Sequence, residues 1–240
     1  MIVSAYQPYF APFPGFLAKA LLSDIFVLLD TVQFPQRTSW LTRNRFKSDQ
    51  GELWLTIPVL RKGLGLQRID QVRIFRGGSW ARKHLDSFKA AYGRAPFFEE
   101  HLPLLARLFS EVPERLLDLN LAVLGYLLEQ FRVGARVVLL SDIGITEREP
   151  LLSVEVCRRL GGSAFLAQRP AGKFLGAAAF SAAGLELRTF AYHPETYPQL
   201  HGAFIQNLSA FDLLFTCGPK APGILRGWLR PTEPAREAAP

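Results

Sequence analysis

Two short apolar runs with one helix's worth of chain between them constrain this sequence more than anything else in it. IVSAY (residues 2–6) and DIFVLLD (24–30) are too short for helices and almost wholly apolar, the pattern of strands buried on both faces. Between them, YFAPFPGF is a loop dense in Pro, Gly and Phe. Pro14-Gly15 then opens a helix that FLAKALLSD continues at helical spacing. The theme returns between residues 135 and 192 as strand ARVVLLSD, helix EPLLSVEVCRRLGG, strand SAFLAQ, loop RPAGKFL with a short helix GAAAFSAAG, and strand LELRTFAY. The expected fold is α/β, a Rossmann-like, doubly wound, mainly parallel sheet with helices on both faces.

About a hundred residues between the two halves of that sheet follow other rules. The segment of about 31–78 reads as a β-rich insertion. LTRNRFK and ELWLTIPVL form a hairpin around the Asp49-Gln50-Gly51 turn, a glycine-punctuated loop follows at Arg61-Lys62, and QVRIF (71–75) is a further short strand. The segment of about 79–133 reads as three helices: one from an N-cap at Ser79 to Gly93, one after Pro96, and one over 114–132. His101 is expected on the surface of the second. After the last core strand a short helix is expected near NLSAFDLLF. Residues 1–229 are expected as a single domain and 230–240 as a flexible tail.

The net charge of +7 is concentrated. Residues 31–94 carry thirteen Lys or Arg against four acids, a net of +9, while the flanking stretches are each −1. Such a concentration attracts phosphates, nucleic acid or an acidic membrane surface. The hydrophobic content of 49% excludes a disordered chain. No apolar run reaches the roughly 18 residues of a membrane span, and MIVSAYQPYF has no signal-peptide pattern, so a cytoplasmic location is expected. Cys157 and Cys217 make neither a disulfide framework nor a metal motif, and no HExxH, GxGxxG, Walker loop or GxSxG is present. No metal is expected and the cofactor stays unassigned.

Ligands of doubly wound sheets sit beyond the carboxyl ends of the strands. Those ends hold Gln7, Asp30 to Gln33, Ser141-Asp142, Gln168 to Lys173 and Tyr192-His193. Gly15 at a helix start lets a ligand approach free N–H groups, although shaping a tight turn explains it as well. Asp30 after an apolar strand suits a ribose hydroxyl, an amine or a general base, and equally a turn cap. Arg43, Asn44 and Arg45, interleaved with Trp40 and Phe46, suit phosphates beside a ring, with Lys62, Arg82 and Lys83 adding charge. His84 and His193 are the acid–base candidates by position. Cys217 in FTCGP, with His193 or His201 as its base, is a weaker nucleophile reading than that of a small buried hydrophobe.

In order, QPYFAPFPGFLAKALLSDIFVLLDTVQFPQRTSWLTRNRFK, ELWLTIPV, WARKHLDSFKAAY, Asp118-Leu119-Asn120 and HPETYPQLHGAFIQNLSAFDLLFTCGP resemble the blocks of the WbqC-like protein family. The resemblance spans the chain except its C-terminal tail. Two departures stand out: Tyr6 replaces a His usual before Gln-Pro, and RPAGKFL replaces a more Gly-rich loop. The opening also looks like a nucleotidyltransferase-type Rossmann-like unit, but Phe13-Pro14-Gly15-Phe16 lacks both histidines of its HxGH, which speaks against adenylyl transfer by that chemistry.

The resemblance implies a setting in O-antigen and other surface-polysaccharide biosynthesis. It draws attention to Asp30, Gln33, Asn44, Arg45, Lys83, His84, His193, Gln199 and Asn207. The expectation is a transferase acting on an activated, phosphate- or nucleotide-linked sugar or amino compound. Asp30, His84 and His193 would be catalytic. Gln7, Gln33, Arg43, Asn44, Arg45, Lys83, Lys173, Gln199 and Asn207 would bind the anionic substrate. Rival expectations are a tRNA- or nucleic-acid-binding protein using the basic insertion, and a non-catalytic scaffold of a glycan-assembly complex. A homodimer is carried as a further partner expectation.

Overall fold

The computed structural model describes residues 1–168, 175–230 and 233–234. Lys173 and the rest of the RPAGKF stretch lie outside them. Five parallel strands, β1 (Ile2–Tyr6), β2 (Ile25–Leu28), β5 (Arg136–Leu139), β6 (Ala164–Gln168) and β7 (Glu186–Phe190), form the main sheet in the order β5-β2-β1-β6-β7. This is the α/β, Rossmann-like arrangement expected. Burial on both faces explains the near-continuous apolar runs. Val3, Val27, Phe165 and Ala167 join a core beneath α6 (Leu151–Arg159) and α7 (Ala177–Ala182). Phe26, Leu28 and Leu166 face the opposite core, shared with α1 (Pro14–Leu21) and the central segment.

The strand order reverses between β1 and β6. They pair only from Ile2 with Ala164 to Ser4 with Leu166, whereas β1 follows β2 up to Tyr6 with Leu28. Past Ser4 the two strands part, and the side chains of Tyr6 and Gln168 close the gap with a 2.7 Å hydrogen bond from the phenol to the amide oxygen. Tyr6 thus serves as a tether across the switch point.

The central segment holds the hairpin β3 (Arg43–Ser48) and β4 (Gly51–Thr56), then α2 (Trp80–Tyr92), α3 (Phe98–Ser110) and α4 (Leu116–Gln130). QVRIF does not form a strand. Its start is taken by a 3-10 turn (Ile69–Gln71), closed by Gln71 Oε1 accepting from the Arg68 N–H. The remainder makes single bridges to two different partners, Ile74 to Val59 and Arg73 to Arg115, so no continuous ladder forms. Ser79 does precede α2, but its hydroxyl caps nothing. His101 is buried rather than on the surface. It packs against Phe215, and its Nδ1 shares a 2.6 Å hydrogen bond with the Tyr126 hydroxyl.

Three further features depart from expectation. ARVVLLSD is an edge strand of four residues, and its last part turns into the single-turn helix α5 (Leu140–Ile143). After α8 (Ala210–Cys217) an additional helix, α9 (Ala221–Gly227), packs against α1. Within the segment read as a flexible tail, Glu233–Pro234 forms β8, antiparallel to Arg188 and Thr189 of β7. No helix among the described residues is long and apolar enough to cross a membrane.

Candidate functional site

Beyond the carboxyl ends of β1, β2 and β5 the chain leaves a crevice of about 610 Å³. Its apolar wall is built by Leu29, Val32, Leu140, Ile145 and Leu152, and its polar rim includes Gln7, Gln33, Arg68, Glu147, Arg148 and Glu149. The sheet dictates this position, because three parallel strands end there and their connections turn outward. The rim carries both signs of charge. Arg68 is paired with Asp70 through both carboxylate oxygens, while Arg148 makes no ion pair among the described residues.

Glu149 is the rim's unusual acid, exposed to solvent along part of its length yet crowded at its carboxyl. Crowding by protein atoms raises its carboxyl above the ordinary range, and the hydrogen bonds from the Ser153 hydroxyl (2.7 Å) and N–H (3.2 Å), with the charge of Lys19, pull it partly back. Lys19 lies nearby in the last turn of α1, 5% exposed. Its ammonium donates to the Ala5 carbonyl at 2.7 Å, at the point where β1 has lost β6, and sits 4.6 Å from the centre of the Tyr6 ring. Burial lowers its pKa to about 7, opposed by the charge of Glu149. Sequence reasoning passed over Lys19, Arg148 and Glu149. Lys19 stood at an amphipathic-helix position, Arg148 in a loop and Glu149 at the start of an expected helix, so neither burial nor proximity was visible.

The expected site residues divide among three places. Gln7 and Gln33 line the crevice. Asp30 lies directly beneath it, buried, where one carboxylate oxygen accepts from the Ser141 N–H at 3.0 Å and ties the end of β2 to α5. Arg43 and Arg45 stand on the outer face of the hairpin. Arg43 stacks 4.3 Å from the Trp54 ring centre, and Arg45 pairs with Glu52 at 2.6 Å and donates to the carbonyls of Gln206 and Asn207. Asn44 points the other way, its amide donating to the carbonyls of Phe10 (3.0 Å) and Ala11 (2.7 Å). His84 shares a 3.0 Å bond between its Nε2 and the Thr56 carbonyl and packs edge-on to Trp80 and Phe109, and burial lowers its pKa. Lys83 is exposed on α2 and His193 exposed after β7.

Gln199 and Asn207 belong to a seam between the hairpin and the closing segment. The Lys47 ammonium donates to Gln199 Oε1 (3.1 Å) and the Ala203 carbonyl (2.7 Å), and Gln199 Nε2 donates to the Tyr197 hydroxyl and the Ile205 carbonyl. Tyr197 and Tyr92 both donate to the buried Asp212 carboxylate at 3.3 Å. Desolvation raises the Asp212 pKa to about 7, against these bonds and the charge of Lys47. Asn207 Oδ1 accepts from the Tyr192 hydroxyl. That tyrosine covers Gly15, where an added Cβ would lie 2.3 Å from its ring. Gly15 therefore admits a protein ring at the start of α1, and the helix N-terminus is covered.

Both cysteines are buried, and burial pushes Cys157 up to about 11 and Cys217 also upward. Both shifts run against thiolate chemistry. Among the described residues, no group of three His, Cys, Asp or Glu side chains could hold a metal ion.

The profile of the WbqC-like protein family matches residues 7–224. An uncharacterized protein of Mycobacterium tuberculosis, Rv1507c, is 27% identical over 226 residues, covering 93% of this chain and 97% of its own length. No solved structure matches.

Proposed function

Since the chain belongs to the WbqC-like protein family, we propose that it is a group transferase acting at the crest crevice on a phosphate- or nucleotide-linked sugar or amino compound of surface-glycan biosynthesis. One observation carries this reading: a ligand-sized concavity at the strand ends combines Arg148, which makes no ion pair among the described residues, with Glu149, a carboxyl raised above its ordinary range. Arg148 holds the anionic leaving group. Gln7 and Gln33 orient the acceptor. Glu149, its pKa raised by the crowding around it, takes the proton from the attacking amine or hydroxyl as the phosphate-linked group departs. Asp30 supports the floor through Ser141. In this reading Glu149 takes the place of His84, whose ring is committed to Thr56 and its aromatic neighbours.

The nucleic-acid alternative has less behind it, because Arg43 and Arg45 on the hairpin are already engaged with Trp54 and Glu52. A thermal-shift screen of nucleotide sugars and sugar phosphates tests the transferase reading. A ligand present at about 100 times its Kd adds about 2.7 kcal/mol of stability, and Arg148→Ala and Gln7→Ala should abolish the shift. If no compound of this class shifts the protein, or the shift survives both substitutions, the reading is wrong.

A further inference from the structure

The large apolar side chains left exposed are not scattered over the molecule. Among the described residues, six of them, Trp40, Trp54, Leu60, Leu64, Leu66 and Phe75, fall between positions 40 and 75, inside the stretch that carries the excess positive charge. Single exposed leucines are ordinary. A cluster of them within a basic segment calls for a partner.

The cluster has a tip. The loop Leu60-Arg61-Lys62-Gly63-Leu64-Gly65-Leu66 leaves the end of the hairpin and runs beside Phe75-Arg76-Gly77-Gly78. The two are held together by backbone bonds from Leu60 N to the Arg73 carbonyl (2.9 Å) and from Phe75 N to the Pro58 carbonyl (2.8 Å). Leu60, Leu64 and Phe75 share one open apolar concavity with Pro58 and Val59. Leu64 is 49% exposed, Leu66 64% and Phe75 48%. Gly63 and Gly65 take positive φ angles of 79° and 60°, with nothing within 4 Å of an added Cβ.

This tip is built rather than frayed. The Arg61 guanidinium turns inward, donating to the carbonyls of Pro35 (2.8 Å) and Gln36 (2.7 Å) while stacked 4.5 Å from the Phe34 ring centre. Lys62 and Arg76 remain beside the leucines, and neither makes an ion pair among the described residues. From Leu53 to Leu85 there are seven Lys or Arg and one acid, Asp70, which Arg68 holds.

We infer that the 60–66 loop and the adjoining Phe75-Arg76 turn dock the protein on the surface of an anionic lipid bilayer, the leucines and Phe75 entering the headgroup region and Lys62 and Arg76 meeting the lipid phosphates. Leucines at the apex of a loop with cations beside them match a negatively charged surface that has an apolar interior. A nucleic acid offers no apolar interior for Leu64 and Leu66. The inference does not rest on the transferase reading, because none of the tip residues lines the crest crevice.

Vesicle flotation of the full chain tests it. The protein should float with phosphatidylcholine vesicles containing about one-third phosphatidylglycerol, float poorly with pure phosphatidylcholine, and be released as salt rises to about 0.5 M. The triple substitution Leu64→Ser, Leu66→Ser, Phe75→Ser should cut binding about tenfold or more. Lys62→Glu with Arg76→Glu should remove the preference for anionic vesicles. All five side chains are exposed, so an unchanged circular dichroism melt will accompany either variant. Equal binding to neutral vesicles overturns the inference, as does vesicle binding indifferent to both variants. It also falls if the wild type stays off vesicles while the triple variant loses a labelled polynucleotide or turns a dimer into a monomer.

Discussion

The fold buries two lysines, Lys19 beneath the sheet crest and Lys47 in the seam between the hairpin and the closing segment, and it treats them in opposite ways. Lys47 has a side-chain and a backbone acceptor and lies in the field of Asp212, which is itself bonded by two tyrosines. Lys19 has one backbone acceptor, aromatic rings around it, and a carboxylate, Glu149, that it senses without touching. The seam spends its polar groups on one another. The crest leaves Arg148 without an ion pair among the described residues. A closed polar network specifies how segments dock, and an open one is poised for something that arrives. The two regions hold similar residue types and differ in how far their side chains are committed to one another.

The comparison breaks most readily at Asp212. Asp212→Ala removes the acceptor of Tyr92 and Tyr197 and the countercharge of Lys47. Breaking a buried charged network from one side costs about 3–5 kcal/mol, read as a lower midpoint in urea unfolding. A loss below about 1 kcal/mol would mean that the seam is wetter than its burial indicates, and the contrast with the crest would disappear.

Asn44 comes next. Its amide holds the carbonyls of Phe10 and Ala11 where Ala11 takes a φ of 41°, so it fixes the turn leading into α1. Asn44→Ala leaves these carbonyls without their donor and should cost about 2 kcal/mol by denaturant titration. Asn44→Asp should not restore the loss, because a carboxylate donates nothing. Rescue by Asp would return Asn44 to the list of ligand-binding candidates.

Asn44 also shows what was legible in the sequence. Most strand and helix identities followed from periodicity, and the crest followed from strand ends, so Gln7 and Gln33 were placed where they line the crevice. The direction of a side chain on a hairpin was another matter. Arg43, Asn44 and Arg45 are adjacent letters, but alternation sends the arginines outward and the asparagine into the core, and the phase is set by packing against Phe10 and Ala11. QVRIF failed for a related reason, since strand-like residues need a continuous partner and found two discontinuous ones. Lys19 and Glu149 were invisible because 130 residues separate them and only the crossover from β5 to α6 brings the second beside the first.

The two regions also titrate in opposite senses. Asp212 has an ordinary pKa of 3.8 and a folded value of about 7. Between those values the folded chain keeps a proton that the unfolded chain has released, so stability falls as pH rises. Lys19 has an ordinary value of 10.5 and a folded value of about 7. Above 7 the unfolded chain holds the extra proton, so stability rises toward 10.5. Each group contributes a slope of up to about 1.4 kcal/mol per pH unit. The expected profile has a local minimum near neutrality. Asp212→Asn should flatten the acid side and Lys19→Met the alkaline rise, with denaturant midpoints across pH as the measurement. A profile unchanged in both variants would remove titration as a difference between the regions.

The smallest effect on stability sharpens the comparison furthest. Arg148 is exposed and makes no ion pair among the described residues, so Arg148→Ala should stay within the roughly 0.5 kcal/mol ordinary for surface substitutions. If the crest is the site, the same change should weaken an anionic ligand about tenfold or more, since a charge-assisted hydrogen bond to phosphate contributes roughly 1.5–3 kcal/mol. Asp212→Asn should show the reverse, altered stability with ligand affinity preserved in the folded fraction. Isothermal titration of both variants with whichever sugar phosphate or nucleotide sugar stabilises the wild type separates the outcomes. Should Arg148→Ala bind normally while the Asp212 variant does not, the ligand belongs at the seam, and the committed network is the functional one.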